Sequence, residues 1–263
     1  WAEKSLEPTE DRAELVLFHA RHYLKLAEEL ALCRGGDAHP TGLKRLADEK
    51  GNLAVALSTF QERGMVSEAL RLVGCLGWYW EACSLLTEGR RALESTLALP
   101  GAVSPESSSA HYWLSVLLRH QGVYEEAREH GERALSLESS PAKVSECLGA
   151  LGQLAFRQGQ YEKSERYFEQ ALQAARESGS AFGEVDALNG LGRLAWVTGK
   201  VKEGVEFERL SLSLAQDKNY PLGEAWAHNA LGEIHRSRQE PQAAALHFRR
   251  ASERFGDLHE FSL

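Results

Sequence analysis

The chain has 263 residues, 43% hydrophobic and 26% charged, with a formal net charge of -8; this describes a folded chain and excludes the disordered and collagen-like classes. An acidic balance argues against direct nucleic-acid binding, because phosphate contacts need clustered Lys and Arg. Cys33, Cys75, Cys83 and Cys147 lack CxxC spacing, and no apolar run nears the roughly 20 residues that span a bilayer, so reduced thiols, a cytoplasmic location and no membrane partner are expected.

The chain opens on Trp1 and a polar stretch, AEKSLEPTEDR, which reads as the run-in to a helix and suggests a piece of something longer. From there the apolar periodicity predicts twelve helices, at 9 to 34, 41 to 63, 66 to 80, 83 to 98, 107 to 121, 124 to 138, 142 to 158, 161 to 178, 181 to 198, 201 to 217, 221 to 237 and 241 to 255. All seven prolines fall where that periodicity breaks, as they should when an interior proline costs about 3 kcal/mol. Strand signals are weak throughout, with no sustained alternation and no Asn-Gly or Asp-Gly hairpin. Residues 1–63 read as an irregular helical segment, 64–254 as repeats and 255–263 as a tail.

The front segment carries His19, Ala20, Tyr23 and Leu24 on one helix, then Leu46, Glu49, Asn52 and Leu53, then Trp78 and Trp80, then Glu88, Gly89, Arg90 and Leu93. Behind it the chain repeats. Gly152, Gly192 and Gly232 recur at one position, with Ser115 and Gly77 as earlier counterparts. Gly122, Gly159 and Gly199 mark the turns, followed two residues later by Tyr124, Tyr161 and Val201. Small residues then recur at Ala127, Ser164, Gly204 and Ala244, and again at Ala134, Ala171, Ser211 and Ala251, with Phe168 or Phe248 between them in two units. A glycine inside a helix costs roughly 1 kcal/mol relative to alanine, so its recurrence points to close helix approach. Short turns force adjacent helices antiparallel.

Over residues 108 to 254 this pattern resembles the tetratricopeptide repeat, with a degenerate unit at 70 to 99 and a period of 37 to 40 in place of 34. The resemblance implies an all-α fold, a right-handed α-solenoid of antiparallel hairpins; a compact helical bundle is the alternative. Residues 17 to 99 resemble the helical region that follows the ATPase in bacterial AfsR-like and LuxR-type signal-transduction regulators. That implies a sensing or scaffold region of a larger regulator whose ATPase and DNA-binding parts lie elsewhere.

Catalytic motifs are poor. Gly190-Leu-Gly192-Arg-Leu-Ala195 fits the dinucleotide fingerprint, but helix rather than strand is predicted before it. There is no phosphate loop of the GxxxxGK[ST] kind. His19 with His22, and His228 with His235, share helix faces without the third ligand that zinc needs. GSAFG at Gly179 to Gly183 is not a nucleophile elbow. No cofactor, metal or catalytic residue is therefore expected.

A binding face is the better reading, because a curved stack exposes its first helices along the concave side. That face is expected to carry Tyr112, Arg119, Phe156, Asn189, Arg193, Trp196, Trp226, Asn229 and Arg236. Aromatic rings give rigid contact area, Asn pairs with an extended backbone and Arg holds a carboxylate. The alternative is that Phe156 and Trp196 are inter-repeat core and Arg193 is solvated. The expected partner is a protein or peptide, or a small effector. The expected function is a non-enzymatic sensing scaffold, with a free-standing adaptor that assembles other proteins as the alternative.

Overall fold

The computed structural model describes residues 10–259; the expected run-in as far as residue 9 and the end of the expected tail lie outside them. Among the described residues there are thirteen α-helices and no strand. They are α1 (Glu10–Ala31), α2 (His39–Asp48), α3 (Lys50–Glu62), α4 (Val66–Ala82), α5 (Leu86–Leu97), α6 (Ser108–His120), α7 (Tyr124–Leu137), α8 (Pro141–Arg157), α9 (Tyr161–Ser178), α10 (Ala181–Val197), α11 (Val201–Asp217), α12 (Pro221–Ser237) and α13 (Pro241–His259). The helix expected at 41 to 63 is two, and α13 runs four residues past its expected end at 255.

The break between α2 and α3 has a side-chain cause. Glu49 leaves helical geometry at φ -97° and ψ 9°. Its carboxylate accepts hydrogen bonds from Tyr23 Oη at 3.1 Å and Asn52 Nδ2 at 2.7 Å, and His19 lies 3.4 Å from Asn52 Oδ1. The Asn52 bond leads in holding the Glu49 carboxyl below its usual range. Periodicity sees one amphipathic run across this point, whereas the polar network pins it against α1. Four of the regulator-like motif residues thus serve to bend the chain.

From α4 onward the chain is a row of antiparallel pairs: α4 with α5, α6 with α7, α8 with α9, α10 with α11, and α12 with α13. In two of the pairs a glycine facing a phenylalanine sets the spacing. A methyl group added to Gly152 would stand 2.8 Å from the ring of Phe168, and one on Gly232 would stand 2.7 Å from that of Phe248. Phe168 also presses on Gly190 of the next pair, so its ring fills a slot cut by two glycines. The dinucleotide-like Gly190 and Gly192 are both in the interior of α10 and both are packing positions.

Serine reinforces the approach by donating to the facing backbone. Ser115 Oγ donates to Ala127 O at 2.6 Å and Ser164 Oγ to Gly152 O at 2.9 Å. At the other end of the pairs, Ser108 donates to Ala134 O and Ser145 to Ala171 O, while in the next pair the direction reverses and Ser211 donates to Val185 O. The turns close with Gly159 at φ 72° and Gln160 N bonded back to Ala155 O at 2.9 Å, a Schellman-type stop. In the last pair the same left-handed position falls on Gln239, at φ 60°.

The largest continuous core runs from Ala20 on α1 to Leu154 on α8; later pairs hold small separate clusters. Each pair therefore relies on its neighbours, as in other solenoids. Two pairs carry a polar substitute in that core. His111 faces His130 across α6 and α7 with Nδ1 atoms 2.8 Å apart, and His228 faces His247 across α12 and α13 at 3.0 Å. In the α8–α9 pair the same register holds Leu148 and Tyr167. Burial, then the partner ring, pushes His111 and His228 down to about 4.

Two outcomes are expected. Gly149→Ala, where added carbon meets nothing within 4 Å, raises stability by roughly 0.5–1 kcal/mol, whereas Gly152→Ala lowers it by about 1–3 kcal/mol through overpacking; urea denaturation of both variants checks the opposite signs. Neutral folded histidines lose ground once the unfolded chain protonates, so stability falls from about pH 6.5 towards 4. Replacing the α6–α7 pair by His111→Leu with His130→Tyr shallows that fall in melting curves.

Candidate functional site

Successive first helices touch side by side, α6 with α8, α8 with α10 and α10 with α12, while α7, α9, α11 and α13 are splayed apart. The first helices are therefore the inner wall of a curved groove. Two ends of that wall differ in charge, because the helices run parallel to one another and place equivalent residues in rows.

The C-terminal ends of α6, α8 and α10 bring arginines together. Arg119, Arg157 and Arg193 lie within Coulombic range of one another. Arg193 stacks its guanidinium over Phe156 at 5.0 Å. Arg119, with a side chain only 9% exposed, has Glu81 at 3.9 Å, and its Nε has no hydrogen-bond partner among the described residues. Burial leads in lowering both Arg119 and Arg193, with Glu81 opposing for the first and Glu208 for the second. Asn189, 8% exposed, lies one helical turn before Arg193, and neither its amide nitrogen nor its oxygen is paired among the described residues. An unpaired buried amide costs about 1–3 kcal/mol.

Trp196 is half-buried, packs by Val205, Leu231 and Ile234, and donates Nε1 to Ser237 Oγ at 3.3 Å. Tyr112 lies two turns before Arg119 on α6, within Coulombic range of it and next to Arg34. Asn229 is half-buried on α12. Trp226 is exposed and meets Phe255 of α13 edge-on at 5.1 Å, and Arg236 is exposed and tied to Glu233. The fold thus gathers Arg119, Phe156, Asn189 and Arg193, keeps Trp196 beside them as a partly packed ring, and holds Trp226 and Arg236 in contacts of their own.

Sequence reasoning missed a second gathering. Glu146 on α8 and Asp186 on α10 occupy equivalent rows, exactly one repeat apart in register, and Tyr220 Oη donates to Asp186 Oδ1 at 3.1 Å. Asp186 touches solvent and is nevertheless walled in by protein, which raises its carboxyl to about 6 against the pull of Arg34. The repetition of an acid at this row was the available signal. Arg157, one residue beyond Phe156, carried none.

Behind Arg193 lies a local conflict. Glu208 takes the register of Phe168 and Phe248, fully buried against Gly192, with both carboxylate oxygens unpaired among the described residues. Desolvation holds its carboxyl well above the usual range and Arg193 opposes this.

The architecture and the groove define a helical-hairpin scaffold. Residues 106–177 and 145–217 each match the tetratricopeptide repeat model, and this stretch of the chain consists of tetratricopeptide repeats. A search of curated sequences returns no match. Among solved structures the chain is similar to the apo form of RapI, at 11% identity and a TM-score of 0.71 over 98% of this chain and 88% of that one. It is also similar to aspartyl phosphate phosphatase F from Bacillus subtilis, at 13% and 0.59 over 80% and 58%, and to BtubC from P. vanneervenii, at 18% and 0.52 over 94% and 92%. At these identities the likeness is one of fold. The matches leave the regulator resemblance of residues 17 to 99 without support.

The raised Glu208 carboxyl makes a distinctive pH signature. The unfolded carboxyl ionises near pH 4.3 and burial holds the folded one well above that range, so its stability contribution is full below that pH and is lost as pH rises. Glu208→Gln is expected to gain roughly 1–3 kcal/mol at pH 7 and to converge with the parent near pH 4, as read by denaturant titration at both pH values.

Proposed function

We propose that the protein is a non-catalytic scaffold whose concave groove holds an extended, acidic segment of a protein or peptide at the Arg119–Arg157–Arg193 end. The observation that carries this reading is Asn189: an amide nine-tenths buried, unpaired on both atoms among the described residues, and on the same wall as arginines whose mutual repulsion is offset chiefly by Glu81 at Arg119 and by Glu208 at Arg193. An extended backbone offers that amide one donor and one acceptor. A carboxylate satisfies the arginines in the bidentate geometry they favour, and Phe156 and Trp196 supply flat apolar walls. Small carboxylate effectors share the chemistry of the acidic segment. No side chain is nominated for turnover.

The finer reading is that this scaffold is the sensing part of a larger bacterial regulator. Its support is the motif pattern of residues 17 to 99; the free thiols, with burial raising Cys75 to about 11 and Cys147 to about 12, suit a reducing cytoplasm. No described helix is long and apolar enough to cross a membrane. An upstream coding sequence with an NTPase phosphate loop supports the regulator, and a native start near Trp1 supports the adaptor.

Panning a random decapeptide display library on the whole chain is expected to enrich sequences rich in Asp and Glu. Arg119→Ala with Arg193→Ala then weakens the best peptide at least tenfold and flattens the salt dependence, while circular dichroism stays the same. Enrichment without acidic bias, or affinity unchanged in the folded double variant, sinks the reading.

A further inference from the structure

The groove already holds something at its other end. The connector from α1 to α2 leaves the front segment and crosses the inner wall, reaching residues far away in the chain. Arg34 lies over the Trp113 ring at 4.8 Å, donates from Nη1 to Glu146 Oε2 at 3.2 Å and from Nη2 to Tyr112 Oη at 3.5 Å. The next residue, Gly35, is buried with φ 80°, and a methyl group there would stand 2.6 Å from Tyr220. Asp37 accepts from Asn219 at the α11–α12 junction, and α2 meets α13. A seven-residue stretch without helix thus touches α6, α8 and the start of α12 at once.

These contacts have the character of a bound peptide rather than of a core. Arg34 keeps 34% of its side chain exposed and Glu146 keeps 43%; such a pair is weak and screened by salt. Guanidinium over indole, a carboxylate beyond it and a tyrosine face that admits only glycine make up a recognition code: arginine followed by glycine. Cation–π contact is worth more to a desolvated arginine than to an exposed one, so an external arginine can make the same contacts, against the effective concentration of the tethered one.

We infer that the Arg34 connector is a tethered occupant of an arginine-glycine seat formed by Tyr112, Trp113, Glu146 and Tyr220, and that a partner protein's arginine-glycine segment binds there by displacing it. Displacement also frees the contacts by which residues 33–37 hold the front helices to the α11–α12 junction. The seat adjoins the arginine end, and Glu81 lies within Coulombic range of both Arg34 and Arg119, but the lining residues that hold Arg34 are not the arginines themselves.

The probe is a fluorescein-labelled peptide of residues 31–40 carrying Cys33→Ser, measured by anisotropy against the full chain. The Arg34→Ala chain is expected to bind it at least tenfold more tightly than the unaltered chain does. Arg34→Ala in the peptide abolishes binding, and Glu146→Gln added to the Arg34→Ala chain weakens it at least fivefold. Equal binding by both chains, or binding that survives loss of the peptide's arginine, overturns the inference. Should Arg34→Ala fail to fold, hydrogen exchange on the unaltered chain decides: amides of residues 34–38 that exchange tenfold faster than those of α1 and α2, and faster still with excess peptide, support a displaceable occupant, whereas protection equal to the helices overturns it. A dimer seen by light scattering and lost in Arg34→Ala reassigns the seat to a second copy and also overturns it.

Discussion

Everything in this molecule depends on how closely the two helices of each pair approach. At Gly152 and Gly232 the approach leaves no room for a methyl group, and the aromatic ring of the facing helix fills the space instead. That contact fixes the distance and register within a pair. Because Phe168 also presses on Gly190 of the following helix, it fixes register between pairs as well. First helices come to lie side by side while second helices splay, and curvature follows. A groove wall with rows of equivalent side chains is then a geometric consequence, and the chemistry of the wall is free to vary from row to row.

The rows are used unevenly. One end collects Arg119, Arg157 and Arg193 in a chain whose overall charge is -8, and the other collects Glu146 and Asp186 around Arg34. Glu208 breaks the aromatic rule directly behind Arg193. Natural chains tolerate such violations where function is placed and offset them elsewhere; here the offset is the continuous front core from Ala20 to Leu154. The front segment is therefore more than an irregular cap. It supplies both the largest body of buried apolar surface and the connector that reaches into the groove.

The polar motifs of the front half illustrate a limit of reading by resemblance. His19, Tyr23, Glu49 and Asn52 are among the residues that suggested a regulator, and in the fold they form one hydrogen-bonded cluster at the break between α2 and α3. A motif that is needed to turn a helix survives in any chain that makes the same turn, whatever else that chain does. Hence the cluster explains the spacing of the motif without requiring the parent's activity.

The sequence by itself determined the helices, the pairing, the turns and the packing role of the glycines, since period, proline placement and small-residue recurrence are local and repeat every 37 to 40 residues. It also placed Arg119, Phe156, Asn189 and Arg193 among nine residues expected on one concave face, from repeat register and helical spacing. Only the tertiary structure decided that Glu49 breaks a helix, that Trp226 belongs with Phe255, and that Arg34 sits against Glu146, 112 residues away. The reason is physical. A connector of seven residues has no periodicity to betray its destination, and a contact across the groove exists only once the curvature of the whole stack has brought its two sides together.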